Sequence, residues 1–219
     1  MPFDAALFDM DGTLLDSEAV YLSAFVDAAT QFDLPEPEAF GRELIGIHSD
    51  ECIRRVEAIL PSKAARNLVD VWYKGVSSRL ADEIPLKPGA QAAIEYLCSK
   101  GQPVGVVTSS RSENAEHHLA KAGLLPMLDF VIGGDQVARR KPHPEPYKIA
   151  IKRLALPAHR VLVFEDSAAG VQSAHSAGAR VVQVPDIVQP SAPIIALGHQ
   201  ISKSITEGFA SLGVDIHAR

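Results

Sequence analysis

Short apolar runs punctuate the chain at Ala5 to Phe8, Pro103 to Val107, Phe130 to Ile132, Val161 to Phe164 and Arg180 to Val184, and each reads as a buried strand. Helical stripes separate them. Ala93, Ile94 and Leu97 precede one strand, Ala115, Leu119 and Ala122 the next, Tyr147, Ile151 and Leu154 the third, and Val171, Ala174 and Ala177 the fourth. Strand and helix in regular alternation predict an α/β fold, a Rossmann-like parallel sheet wound with helices. Punctuation agrees with the pattern: Gly101, Gly123 and Gly178 fall just after three of the stripes, where a left-handed cap is wanted, and Pro144 with Glu145 suits the first turn of another helix. From Pro190 the pattern is less regular and suggests a helix and an edge strand near Gln200 to Ile205.

Between about Asp16 and Ile84 the alternation stops. Tyr21, Ala24, Phe25, Ala28 and Phe32 keep helical spacing; Ser49 is placed to cap a helix carrying Ile53, Val56 and Leu60; Leu68, Trp72, Val76 and Leu80 form a third stripe. The expectation is a core of residues 1–15 and 85–219 with a helical subdomain, residues 16–84, inserted after the first strand.

Composition narrows the partners. With 47% hydrophobic residues, the 219-residue chain can bury a large core, and a formal net charge of -6 argues against nucleic acid or an anionic membrane surface. No apolar run approaches the length of about 20 residues needed to span a bilayer. Two distant cysteines, Cys52 and Cys98, suggest neither a disulfide framework nor a structural zinc site. A cytoplasmic, unexported protein is expected, and the sequence leaves its oligomeric state open.

Candidate chemistry lies at the strand ends. In an open parallel sheet, ligands bind beyond the carboxyl ends of the strands. There the chain carries Asp9 and Asp11, then Thr108, Ser109 and Ser110, then Glu165 and Asp166, with Lys141 arriving from the loop after Gly133-Gly134-Asp135. Taken singly, each is an ordinary turn former, helix cap or solvated lysine. Together they are a repulsive cluster, because two unit charges about 4 Å apart interact by roughly 4 kcal/mol even at an effective dielectric of 20. Such a cluster needs a cation, and all-oxygen ligands suit Mg2+ with a phosphate-bearing substrate. Residues i and i+2 of an extended segment face one side, so Asp9 and Asp11 can divide nucleophilic attack from proton transfer. Donors at Thr108 and Ser109 and the Lys141 ammonium would offset charge on a transferring phosphoryl group.

These residues resemble the haloacid dehalogenase superfamily of phosphohydrolases, with matching motifs from Phe8 to about Pro185. Asp9-Met10-Asp11-Gly12-Thr13 resembles its first motif and Val106-Val107-Thr108-Ser109-Ser110 its second. Lys141 within Arg140-Lys141-Pro142-His143-Pro144 resembles its third, and Val163-Phe164-Glu165-Asp166-Ser167, followed by Gly170, Ala174, Ala177 and Gly178, its fourth. The resemblance implies Asp9 as nucleophile and Asp11 as general acid/base. It also implies Mg2+ held by Asp9, the Asp11 carbonyl and Asp166, with Glu165 a ligand or a partner of one. The inserted helices resemble the four-helix cap of the subgroup containing beta-phosphoglucomutase and small sugar-phosphate phosphatases.

Within the insertion, Glu18, Tyr21, His48, Ser49 and Lys74 are candidates to reach substrate, although surface or packing roles suit each as well. Paired His117-His118, and His175, read as exposed helix positions, and Trp72 as core of the insertion. Three functions compete: a phosphatase for a small phosphorylated metabolite such as a sugar or polyol phosphate, an intramolecular phosphotransferase like beta-phosphoglucomutase, and a silent ligand-binding protein. A silent protein has no reason to keep a repulsive acidic cluster. Dehalogenation needs neither Asp11 nor a metal. The mutase pattern has a histidine where Tyr21 stands and an arginine where Ser49 stands, with Arg54 and Lys74 as possible replacements for its charge; both departures favour hydrolysis.

Overall fold

The computed structural model describes residues 2–45, 47, 49–81 and 84–217, and of Ser49 only the backbone. Among these residues lies one sheet of six parallel strands in the order β3-β2-β1-β4-β5-β6. The strands are β1 (Ala5–Phe8), β2 (Val104–Val107), β3 (Phe130–Ile132), β4 (Val161–Glu165), β5 (Arg180–Gln183) and β6 (Gln200–Ile201). The order reverses at β1, which pairs with β2 on one side and β4 on the other.

Alternation along each strand builds two hydrophobic layers. Ala6 and Phe8 of β1, Val104 and Val106 of β2, and Leu162 and Phe164 of β4 enter one layer. Leu7, Val107, Val161 and Val163 enter the other. Helices α5 (Ala90–Ser99), α6 (Ser112–Lys121) and α10 (Ile205–Ala210) cover the first face, contributing Ile94, Leu119 and Phe209. Helices α7 (Glu145–Leu154), α8 (Ala168–Ser176) and α9 (Ala192–Ile195) cover the second, contributing Tyr147, Val171 and Ile194. The expected glycine caps are present: Gly101, Gly123 and Gly178 have φ of 64°, 73° and 84°. Pro144 stands at the N-cap of α7 and Pro146 in its first turn.

Four helices follow β1: α1 (Glu18–Thr30), α2 (Pro37–Leu44), α3 (Ser49–Glu57) and α4 (Ser62–Arg79). The apolar stripes marked α1, α3 and α4. Helix α2 buries only Gly41 and Leu44 and so left too thin a stripe to read. Leu60 lies beyond the end of α3, and Ile205 begins α10 instead of extending β6, because its buried side chain joins the first core layer. Phe25 and Trp72 pack with ring centroids 5.0 Å apart, and the core of these helices is continuous with the first sheet layer through Met10, Leu14 and Leu15.

The two connections between helices and sheet run side by side. Asp16 N–H donates to the Pro85 carbonyl at 2.8 Å and Lys87 N–H to that of Leu14 at 2.9 Å. The Lys87 ammonium bridges Asp16 at 3.3 Å and Asp186 at 2.7 Å. At the far end of α4, Lys121 of α6 donates to the Leu80 and Ala81 carbonyls. Arg140 meets Asp50 of α3 at 3.2 Å.

The first layer centres on Phe164, whose ring lies 5.2 Å from Phe8 and 4.8 Å from Phe209 by centroid. Phe209 is fully buried, so truncation leaves a cavity that α10 cannot fill. Phe209→Ala is expected to lower the unfolding free energy by about 3–5 kcal/mol, read from urea denaturation.

Candidate active site

Three strand ends deliver carboxylates and hydroxyls to one place. Asp9 follows β1 directly, its N–H bonded to the Phe164 carbonyl of β4 at 2.9 Å; Thr108 follows β2, its N–H bonded to Ile132 of β3 at 2.9 Å; Glu165 ends β4 and Asp166 follows it. The sheet ladder thus continues one residue past the strands and fixes where these side chains begin. Carboxylate oxygens of Asp9, Glu165 and Asp166 lie within 4.8 Å of one another, and all three residues are buried.

Lys141 holds this cluster together. Its ammonium donates to Asp9 Oδ1 at 2.6 Å, to Glu165 Oε1 at 2.6 Å and to the Val107 carbonyl at 2.8 Å, which engages all three of its protons. It also sits 5.0 Å from the centroid of the Tyr147 ring. Lys141, expected to offset charge on the substrate's phosphoryl group, is buried beside Asp9 and is not among the residues that line the cavity. Its protons are all committed to protein oxygens.

Glu165 is fully enclosed. Oε1 accepts from Lys141 and from the Tyr147 hydroxyl at 2.6 Å, while Oε2 accepts from Ser167 Oγ at 3.1 Å. Its surroundings admit no added atom, because a Cβ on Gly170 would lie 1.9 Å from the carboxyl group. Ser167 also caps α8, accepting from the Gly170 N–H at 3.1 Å, so the start of that helix is pressed against Glu165.

Asp11 has a different environment. Ser17 Oγ donates to its Oδ1 at 2.7 Å and Ser110 Oγ to its Oδ2 at 2.9 Å. Its carboxylate therefore stands apart from the acidic triad, at the junction of the first motif and the end of β2. Ser17 occupies the N-cap position of α1 yet makes no capping bond, because its hydroxyl is turned to Asp11. Asp166 accepts from Thr13 Oγ1 at 3.1 Å, and its backbone carbonyl accepts from Gln183 at 2.9 Å.

Burial, opposed by Lys141 and reinforced by the Glu165 charge, pushes the Asp9 carboxyl up to about 8. Burial and then Asp186 push Glu18 up to about 8, and burial with the Glu18 and Asp9 charges holds Asp166 well above the carboxylate range. Lys141 is raised because the attraction of Asp9 and Glu165 exceeds the opposing effect of its own burial. One ammonium cannot balance these carboxylates once they ionise, and a hard divalent cation would supply the missing charge.

Asp9, Asp11 and Asp166 border a cavity of about 200 Å³. Thr108, Ser109 and Ser110 line one wall with Arg111 and Asn114, while Glu18 borders it beside Asp166. The helices supply the rest, including Tyr21, Leu44, Ile45, Trp72 and Tyr73. Among the candidates within the insertion, Glu18 and Tyr21 reach the cavity; Lys74 is exposed and does not border it; His48 and the Ser49 side chain lie outside the described residues. His117 and His175 are exposed as expected, but His118 is half-buried, with Nδ1 enclosed and its pKa lowered by burial.

Sequence reading missed Ser17, Tyr147, Tyr73, Arg111 and Asn114. Arg111 and Asn114 had a signal, since they lie three residues apart around the first turn of the helix that follows Ser110. The others are joined to the site only by folding.

The profile of the haloacid dehalogenase-like hydrolase family matches residues 6–184, and the chain belongs to that family. It is a phosphoric monoester hydrolase. A phosphorylated carbohydrates phosphatase of Thermotoga maritima is 34% identical over 179 residues, 80% of this chain and 82% of the relative. A phosphoglycolate phosphatase of Rhodospirillum rubrum is 30% identical over 218 residues, 95% and 89% of the two chains. A crystal structure of a Thermotoga maritima protein assigned as a beta-phosphoglucomutase superposes with a TM-score of 0.72 at 30% identity, covering 91% of this chain and 93% of that one.

Gly170→Ala tests the packing around Glu165. The new methyl group must displace the carboxylate and with it Lys141, so a stability loss of about 1–3 kcal/mol is expected. Hydrolysis of p-nitrophenyl phosphate should fall at least about tenfold through the lost alignment of Asp9. Urea unfolding and phosphate release on the same sample check both.

Proposed function

We propose that this chain is a Mg2+-dependent phosphatase for a small phosphorylated metabolite of the sugar or polyol class, working through an aspartyl-phosphate on Asp9. The observation that carries this reading is the asymmetric treatment of the two first-motif carboxylates. Lys141 grips Asp9 Oδ1 within the acidic triad, leaving Oδ2 without a hydrogen bond from any described residue. Asp11 is held outside the triad by two serine hydroxyls and borders the cavity.

The donor set fits Mg2+: all oxygen, buried, and in electrostatic excess. Asp9, Asp166 and the Asp11 carbonyl would hold the ion, which supplies charge neutralisation of the phosphoryl oxygens. Glu165, its two oxygens already engaged, acts on Lys141. Oδ2 of Asp9 attacks phosphorus as the bond to the leaving oxygen breaks, and Asp11 gives that oxygen a proton. Water then attacks the phosphorus of the acyl phosphate, Asp11 takes its proton, and Asp9 and inorganic phosphate are released. Thr108, Ser109 and Ser110 offer hydroxyl and amide donors to the phosphoryl group.

Residues 16–84 serve as a cap over a core of 1–15 and 85–219, moving about the paired connections at Leu14–Asp16 and Pro85–Lys87 and excluding bulk water when closed. Arg111 is the observation that favours the phosphotransferase alternative, since its charge could hold a second phosphate. It is exposed and belongs to the wall beside Ser110, and no Lys or Arg of α1, α2 or α4 borders the cavity among the described residues. Hydrolysis therefore remains the better-supported reaction.

Asp9→Asn should leave the fold intact and lower turnover by at least about three orders of magnitude, since a nucleophile of this kind has no substitute. Phosphate release and thermal melting on both proteins, with Mg2+ and with EDTA, provide the check. Mg2+ should raise the melting temperature of the wild type more at pH 8 than at pH 5.5. Protons compete for the raised Asp9 carboxyl below about 8, and their competition fades as pH rises through that value.

A further inference from the structure

The cap wall of the cavity carries two phenols whose hydroxyls have no assigned work. Tyr21 of α1 and Tyr73 of α4 both border the cavity, with ring centroids 6.4 Å apart and planes at 82°. Their positions are fixed from behind. Trp72 lies 6.5 Å from Tyr21 in an edge-on arrangement and 5.1 Å from Tyr73, and its indole N–H donates to the Tyr21 carbonyl at 2.8 Å. Trp72 is therefore a strut, its one donor engaged.

Neither tyrosine hydroxyl hydrogen-bonds to any described residue, although both rings are at least half-buried. A partly desolvated phenol left without a partner is unfavourable unless water or a ligand fills the role. Burial first and the Asp11 charge next raise the Tyr21 phenol, and burial, Cys52 and Asp11 raise that of Tyr73. Both residues share the cavity with Asp11, whose charge is among the causes that raise their phenols.

The surroundings limit what can sit there. Leu44, Ile45 and Ile47 add apolar surface, and Asp11 adds negative charge. A carboxylate or second phosphate placed against this wall would lose hydration beside like charge, whereas neutral hydroxyl groups would find phenols able both to donate and to accept. Flat ring surface also suits the C–H faces of a sugar or polyol. We infer that Tyr21 and Tyr73 are the specificity-determining pair of this enzyme, their hydroxyls reading the hydroxyl groups of an uncharged sugar or polyol leaving group and their wall rejecting an anionic one. This inference rests on the phosphatase reading above.

The test uses the full chain with Mg2+ and three probes: sorbitol 6-phosphate, n-hexyl phosphate, which has the same chain length without the hydroxyls, and 2-phosphoglycolate, whose leaving group is an anion. Wild type should show its highest kcat/KM on sorbitol 6-phosphate. Tyr21→Phe and Tyr73→Phe keep the rings that pack on Trp72, so each should fold. Each should cut the ratio of kcat/KM for sorbitol 6-phosphate to that for hexyl phosphate by about tenfold, mainly through KM, as expected for one lost ligand hydrogen bond. A ratio unchanged within twofold in both variants would overturn the assignment, as would 2-phosphoglycolate proving the best wild-type substrate. Absence of turnover on all three probes in the wild type would instead overturn the phosphatase reading, and the inference with it.

Discussion

Everything at this site depends on one ammonium group placed among buried carboxylates. Lys141 lies 2.6 Å from both Asp9 and Glu165, deep enough that neither pair is screened by solvent. Removing it would leave Asp9, Glu165 and Asp166 facing one another with no internal counterion, a situation proteins avoid by protonation or by rearrangement. Keeping it costs desolvation of the lysine, which the two carboxylates and the Val107 carbonyl offset. Tyr147, Ser167 and the bare backbone at Gly170 are then consequences. They orient Glu165 so that it can orient Lys141, which in turn fixes one oxygen of Asp9.

The same constraint separates two chemically identical side chains. Asp9 and Asp11 lie two residues apart, yet the first is drawn into the triad and the second is held away from it by Ser17 and Ser110. Environment alone gives the two carboxylates different surroundings, a contrast that acid/base pairs commonly show. The family relationship and the phosphatase class agree with this arrangement.

Much of this was legible from local pattern. Apolar runs located the strands because a doubly covered parallel sheet requires them, and the polar residues stood out because they follow those runs at once. What was hidden is what depends on distance along the chain. Nothing around Tyr147 announces that its hydroxyl meets Glu165, 18 residues away, and nothing near Ser17 shows that it abandons its helix to bind Asp11. Lys141 was recognised as belonging to the site but not as bonded at once to Asp9, Glu165 and the Val107 carbonyl, since charge predicts attraction without predicting partners. Lys74 was left between a substrate and a surface role because helical periodicity does not say which flank of α4 faces the cavity; it is exposed. Its neighbour Tyr73 takes that place.

The proposed reaction requires Asp9 to become covalently phosphorylated. Rapid mixing with a phosphorylated substrate and Mg2+, quenching with borohydride and peptide mass spectrometry would read this directly, because borohydride reduces an acyl phosphate to the alcohol. The predicted result is homoserine in place of Asp9, formed only when substrate and Mg2+ are both present. An unreduced Asp9 in enzyme that is turning over under the same conditions, or reduction at another carboxylate, would contradict it.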